Sequence, residues 1–233
     1  MLLKELREEV LEANLELVRR GLVLYTFGNA SGVNREQGLV VIKPSGVDYD
    51  KLKPEHMVVT DMHGTIVEGD LRPSSDLDTH TLLYREFLTI GAVVHTHSDY
   101  ATSFAQAGLP IPAFGTTHAD YFYGPVPCTA PLSDEAIQGR YVHETGRAIV
   151  ERFREGEGID SLAVPACLVA GHAPFVWGRN AHDAAHNAVV LEAIAKMALQ
   201  TVTLRANCEA VSQALLDRHY FRKHGANATY GQC

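Results

Sequence analysis

Cysteine is scarce in this 233-residue chain, and basic charge is scarcer than acidic. The four cysteines (Cys128, Cys167, Cys208 and Cys233) are far apart and form no C-x-x-C pair. That argues against a disulfide framework or a thiolate zinc site, and for free thiols in a reducing cytosol. Lys and Arg number 20 against 28 Asp and Glu, a formal net charge of −8, so the basic footprint of a nucleic-acid binder is missing. The same balance means that an anionic substrate has to be held by concentrated local donors. No apolar run approaches the length needed to span a bilayer, and Met1-Leu2-Leu3-Lys4-Glu5 lacks a signal-type apolar core. Walker and dinucleotide-type glycine loops are absent as well. These readings predict a cytoplasmic protein that partners neither nucleic acid nor membrane.

What is present suits a core-forming α/β chain. The apolar share is 46%, and no linker or internal repeat divides residues 1–233, which read as one domain. Leu3, Leu6, Val10, Ala13 and Leu17 recur at helical spacing up to Arg19-Arg20-Gly21, a basic end and a stop. Short β-like runs follow at Leu22–Thr26, Leu39–Ile42, Met57–Asp61 and Thr65–Glu68. A helix is expected after Pro73-Ser74-Ser75, with Ser74 or Ser75 as its cap, and another over Tyr100–Ala107, stopped by Gly108. Ser133 caps a predicted helix reaching about Arg154. Leu162–Gly178 reads as two strands joined by a turn, Ala181–Leu204 as a long helix, and a last helical piece comes before the tail. Several strands arrive before the first mid-chain helix, so hairpins make the sheet mixed or largely antiparallel rather than doubly wound.

The chemistry-bearing pattern starts at His95-Thr96-His97, which closes the apolar run Gly91–Val94. Alternate residues of a strand share a face, so the two imidazoles leave the sheet side by side, as half of a zinc site or as a polar strand end. His172, in the turn Gly171-His172-Ala173-Pro174, is the best third ligand, with Gly171 allowing close backbone approach. Asp76 is a fourth ligand or a neighbouring base. The rival pair His182-x-x-x-His186 lies one helical turn apart but lacks a zinc-protease glutamate, and reads as helix surface. Ser74-Ser75-Asp76 at a helix start, Lys43-Pro44-Ser45-Gly46 at a strand exit and the small-residue loop Gly28-Asn29-Ala30-Ser31 each suit an anion, or a plain turn or cap. Asp120 and Tyr230 carry no role on composition alone.

Taken in order, these strings resemble a known family. Gly28-Asn29, Val41-Ile42-Lys43-Pro44-Ser45-Gly46-Val47-Asp48-Tyr49, Pro73-Ser74-Ser75-Asp76 and Val94-His95-Thr96-His97-Ser98 carry the likeness through the first half. Gly115-Thr116-Thr117-His118-Ala119-Asp120-Tyr121-Phe122-Tyr123-Gly124, His172-Ala173-Pro174-Phe175, Arg222-Lys223-His224-Gly225-Ala226 and Tyr230-Gly231-Gln232 continue it. The chain resembles the L-ribulose-5-phosphate 4-epimerases of the class II aldolase/adducin superfamily over essentially its whole length. The likeness implies a three-layer α/β/α sandwich around a mixed, largely antiparallel sheet. It implies a divalent cation, zinc or another, held by Asp76, His95, His97 and His172. It implies a sugar phosphate held by Gly28, Asn29, Lys43, Ser45, Gly46, Ser74 and Ser75, with His219 lining the pocket. It also implies Asp120 and Tyr230 as an acid/base pair, in a site completed by a neighbouring subunit of a homotetramer. The chain departs from the family at Ala170-Gly171 beside the last histidine, and at Val142, where a glutamate is expected.

The implied reaction has a chemical logic. In ribulose 5-phosphate the ketone acidifies the C3 proton and not the C4 proton, so deprotonation cannot invert C4. Breaking the C3–C4 bond, turning the aldehyde and re-forming the bond can, with zinc as electron sink and two groups to move the C4 oxygen's proton. A sugar-phosphate aldolase of the same superfamily is the alternative; such aldolases carry glutamate after the two serines, where this chain has Asp76. A non-catalytic adducin-like module and a zinc hydrolase remain as further readings.

Overall fold

The computed structural model describes residues 1–155, 158–224 and 228–229. Among them, seven strands form one sheet: β1 (Asn29–Asn34), β2 (Leu39–Ile42), β3 (Val58–Asp61), β4 (Ile66–Glu68), β5 (Ala92–His95), β6 (Ala166–Leu168) and β7 (Pro174–Gly178). Their order is β4-β3-β2-β1-β5-β7-β6, and every neighbouring pair is antiparallel. The helices are α1 (Lys4–Arg19), α2 (Leu77–Glu86), α3 (Asp99–Ala107), α4 (Thr116–Ala119), α5 (Asp134–Gln138), α6 (Tyr141–Arg154), α7 (Ala181–Leu204) and α8 (Gln213–His224).

The strands are apolar on both faces because helices cover both. Val41, Val59, Ala92, Val94 and Val176 join Val10 and Leu17 of α1, Phe104 of α3 and the Ala184–Ala198 stripe of α7 in one core. The intervening residues Val40, Val93, Phe175 and Trp177 face the other way, onto Leu83 and Tyr84 of α2 and Ile149 and Phe153 of α6. This period-2 division across a sheet is the three-layer α/β/α sandwich. Trp177 is fully buried between Phe87 and Phe153, and its indole N–H donates to the Ser161 carbonyl at 2.6 Å. Truncating it to Ala costs about 3–5 kcal/mol by the usual cavity arithmetic.

Four expectations change. Leu22–Thr26 is not a strand: Leu24, Tyr25 and Phe27 are exposed, and Tyr25 takes φ 51°. The strand position beside β5 goes instead to Asn29–Asn34, whose start had read as a loop. Its small residues serve packing, since a Cβ on Gly32 would meet Leu6 Cδ1 of α1 at 2.8 Å. The expected helix from Ser133 to Arg154 is two helices. Gly139, at φ −92° and ψ −118°, leaves the helical region, so that α6 restarts at Tyr141. Finally, α7 has 24 residues and an 18-residue window of mean hydropathy 1.2, enough by length and composition to cross a bilayer, contrary to the sequence reading. Its small-residue stripe is buried in the core that faces the sheet.

Candidate metal-dependent active site

The site grows from the end of β5. His95 Nδ1 lies 2.9 Å from the Pro174 carbonyl oxygen, which can only accept, so Nδ1 carries the proton and Nε2 keeps its lone pair. That Nε2 is 3.1 Å from His97 Nε2. His172 arrives from the β6–β7 turn, its ring 4.9 Å from that of His95 and 5.1 Å from that of His97. The turn passes through Gly171 at φ +70° with open space around it, so the glycine serves a left-handed turn rather than the close approach expected of it. One donor atom from each of the three histidines lies within 4.8 Å of the others. Phe175 stacks on His95 at 4.2 Å and fixes the ring's plane.

The electrostatics favour neutral ligands. Burial, then the neighbouring imidazoles, holds His172 down to about 4, and burial followed by His95 lowers His97. Their lone pairs are therefore free at neutral pH. His172 Nδ1 is buried with no hydrogen-bond partner among the described residues. Three convergent imidazoles, with a carboxylate in the same cleft, fit a divalent cation such as zinc. Asp76 lines that cleft, but its Oδ2 accepts from Asn29 Nδ2 at 2.6 Å, and it stands outside the three-histidine group. Burial pushes its carboxyl up, yet His95, His80 and the Asn29 bond outweigh that and leave it below the ordinary value.

The three anion loops turn out to be walls of one cleft of about 470 Å³. Gly28, Asn29, Lys43, Ser45, Gly46, Ser74 and Ser75 line it together with Asp76, His95, His97 and His172. A β-bridge between Pro44 and Pro73 ties two of the loops together. Ser45 N–H donates to the Arg72 carbonyl at 2.9 Å, and Ser74 N–H to the Lys43 carbonyl at 2.9 Å. Gly28 brings the third loop against the metal strand: at φ +77°, a Cβ there would sit 2.9 Å from the His95 carbonyl oxygen. Lys43 is buried, its ammonium 4.6 Å from the Tyr49 ring centre, and desolvation lowers it to about 8. Tyr141 and Val142, at the start of α6, complete the wall; Thr79 of α2 fixes that start by donating to the Val142 carbonyl at 2.5 Å. Sequence reasoning gave them no role. The glutamate expected at Val142 is replaced by an apolar wall.

The remaining expected residues lie elsewhere or outside the described residues. Asp120 follows α4 and is gripped by α8, accepting from Arg222 at 2.8 to 3.1 Å. Its Oδ1 is 3.0 Å from His219 Nδ1, and Lys223 is 3.8 Å away. Burial raises its carboxyl, but Arg222, His219 and Lys223 win and hold it below the ordinary value. Neither Asp120 nor His219 lines the cleft of its own chain. Tyr230 lies outside the described residues. His182 and His186 stack at 6.3 Å beside a groove between α1 and α7, and no third ligand joins them among the described residues.

Residues 8–199 match the class II aldolase and adducin N-terminal domain family. The chain belongs to that family. Among solved structures of this class II aldolase fold, an L-fuculose 1-phosphate aldolase superposes with a TM-score of 0.79 at 24% identity, over 94% of this chain and 96% of that one. The L-fuculose-1-phosphate aldolase of Thermus thermophilus gives 0.67 at 24%, over 88% and 98%. YgbL of Klebsiella pneumoniae gives 0.69 at 24%, over 92% and 97%. At these identities the likeness shows a shared class II aldolase fold.

Proposed function

We propose that this class II aldolase family member is a divalent-cation-dependent L-ribulose-5-phosphate 4-epimerase, with zinc as the cation. The observation that carries the reading is the joining, in one cleft, of three convergent histidines to an anion cradle built from a buried lysine, three serines and small-residue backbone. An adducin-like module has no use for the histidines, and a plain zinc hydrolase has none for the cradle.

His95, His97 and His172 would hold a divalent cation, which would supply Lewis-acid stabilisation for negative charge on the ketose oxygens. The chain's own groups do the rest. Lys43 with Ser45, Ser74 and Ser75 offers a cation and hydroxyl donors to the phosphate, which keeps glycolaldehyde phosphate tethered while its aldehyde turns. Asn29 holds the Asp76 carboxylate beside the histidines. Asp120 and Tyr230 exchange the C4 oxygen's proton on the two faces. Because Asp120 and His219 pair with each other away from their own cleft, we assign these contributions to Asp120, His219 and Tyr230 of the partner subunit in a homotetramer.

A sugar-phosphate aldolase on the same fold is the second reading. Asp76 in place of the aldolase glutamate favours the epimerase. Incubation with L-ribulose 5-phosphate and, separately, L-fuculose 1-phosphate, each with and without chelator, separates them. The epimerase converts the first to D-xylulose 5-phosphate and leaves the second intact; cleavage of the second to free fragments establishes the aldolase.

A further inference from the structure

The α2–β1 contact carries a buried polar ladder that the proposed chemistry does not use. Asp76, His80 and Tyr84 are spaced four apart, so they share one face at the start and along the length of α2. Asn29 and Ser31 share the facing side of β1. Asn29 Nδ2 donates to Asp76 Oδ2 at 2.6 Å, while Ser31 Oγ lies 2.7 Å from His80 Nδ1 and 2.6 Å from the Tyr84 hydroxyl. Ser31, His80 and Tyr84 are all fully buried. His80 meets Phe175 edge-on at 6.0 Å, and Phe175 stacks on His95, so the ladder lies directly under the metal cleft.

The Tyr84 hydroxyl, the Ser31 hydroxyl and the neutral His80 ring bring three protons to two contacts, so one proton is left over, on His80 Nε2 or on the Tyr84 hydroxyl. In the arrangement with Tyr84 as donor, its buried hydroxyl is satisfied by Ser31 Oγ. The Ser31 proton then goes to His80 Nδ1, and the neutral imidazole carries its own proton on Nε2. That Nε2 is buried without a hydrogen-bond partner among the described residues. A buried N–H left unpaired is costly, and here its residue stands one helical turn from Asp76, whose backbone carbonyl accepts from the His80 backbone N–H at 3.1 Å.

We propose that His80 is a positioning residue for the cation site: its Nε2–H is the donor that sets the Asp76 carboxylate when that side chain turns from Asn29 toward the three histidines. The assignment rests on the reading that Asp76 and the histidines hold a divalent cation. Tyr84 and Ser31 act through His80, by keeping the proton on Nε2.

The test uses the full chain with Zn²⁺ and Co²⁺ alone, without substrate. His80→Leu removes the donor, His80→Gln retains an amide N–H near the Nε2 position, and Tyr84→Phe removes the proton that orients Ser31. Zn²⁺ affinity is read by competition with a chelating dye, ligand geometry by the Co²⁺ visible bands, and fold by melting of the metal-free proteins. Loss of an outer-shell partner weakens metal binding about 10–100-fold, which is the drop expected for His80→Leu together with shifted Co²⁺ bands, while His80→Gln stays within about threefold of the parent. The metal-free Leu and Gln variants are expected to melt alike. Parental affinity and spectrum in His80→Leu, or equal impairment in the Leu and Gln variants, overturns the proposal. Should His80→Leu fail to fold, Tyr84→Phe decides: weakened binding with altered bands supports the relay, and parental values overturn it. A parent protein that binds neither ion refutes the metal-site reading itself, a result distinct from a parent that binds and a variant that does not change.

Discussion

Replacing Lys43 by methionine is expected to make the protein more stable and less able to hold its substrate. Burial lowers the lysine from 10.5 to about 8. One unit is worth about 1.4 kcal/mol, so keeping the ammonium charged at pH 7 costs the fold about 3 kcal/mol. Methionine keeps the apolar stem without that cost. In a domain of this size 1 kcal/mol moves the melting point by about 2–4 °C, so Lys43→Met is expected to melt roughly 6–12 °C above the parent at pH 7. The folded-state value lies below the unfolded one, so the penalty on the parent is complete below about pH 8 and fades as pH rises through 10.5. The advantage of the variant fades with it. Substrate binding moves the other way. Losing a charged partner of the phosphate costs about 1.5–3 kcal/mol, raising KM for L-ribulose 5-phosphate roughly 10–150-fold. By the same titration, the parent's KM rises above about pH 8 as Lys43 discharges. Thermal melts at pH 7 and above pH 10.5, with KM measured beside them, check the argument. A variant that melts no higher than the parent at pH 7 and keeps its KM refutes it.

Gly28→Ala places a Cβ 2.8 Å from Val23 Cγ1 and 2.9 Å from the His95 carbonyl at φ +77°. The left-handed backbone and the overlap together cost about 2–4 kcal/mol, read as a lowered urea midpoint; an unchanged midpoint contradicts the packing described. His97→Asn removes one of three convergent donors and is expected to empty the protein of zinc on elemental analysis, with parental metal content as the contrary result. Asp120→Asn and His97→Asn are each expected to be inactive. Refolded as an equal mixture, they recover about a quarter of parental activity if cleft and Asp120 meet across subunits, and none if one chain makes the whole site. Tyr230→Phe is expected to stop epimerisation with metal content unchanged, so full activity there removes the tyrosine from the acid/base pair.

The parts of this site that were legible in the sequence are those fixed by local geometry. His95 and His97 follow one strand two residues apart, and the structure brings their Nε2 atoms to 3.1 Å. The bounds of α7 follow from its apolar run between Asn180 and Arg205. Long-range contacts were not legible. The Lys43 and Ser74 loops read as two separate turns, because the Pro44–Pro73 bridge that joins them spans 29 residues. Gly28-Asn29-Ala30-Ser31 read as a loop because small residues have weak strand preference; β1 is a strand because its neighbours on both sides pair with it. Tyr141 gave no signal, and Val142 stood out only as a departure from the family's glutamate, since their place on the cleft depends on Thr79 across the α2–α6 contact. Asp120 entered through resemblance alone, and the structure adds its grip by Arg222 and His219.

The most direct test of the account follows the substrate's hydrogens. Zinc-loaded protein is incubated with L-ribulose 5-phosphate in D₂O and the products are read by NMR. Opening and re-forming the C3–C4 bond inverts C4 without removing its hydrogen. The account therefore predicts D-xylulose 5-phosphate free of deuterium at C4, and no product when chelator is present. Deuterium at C4, or release of dihydroxyacetone and glycolaldehyde phosphate without the epimer, would contradict it.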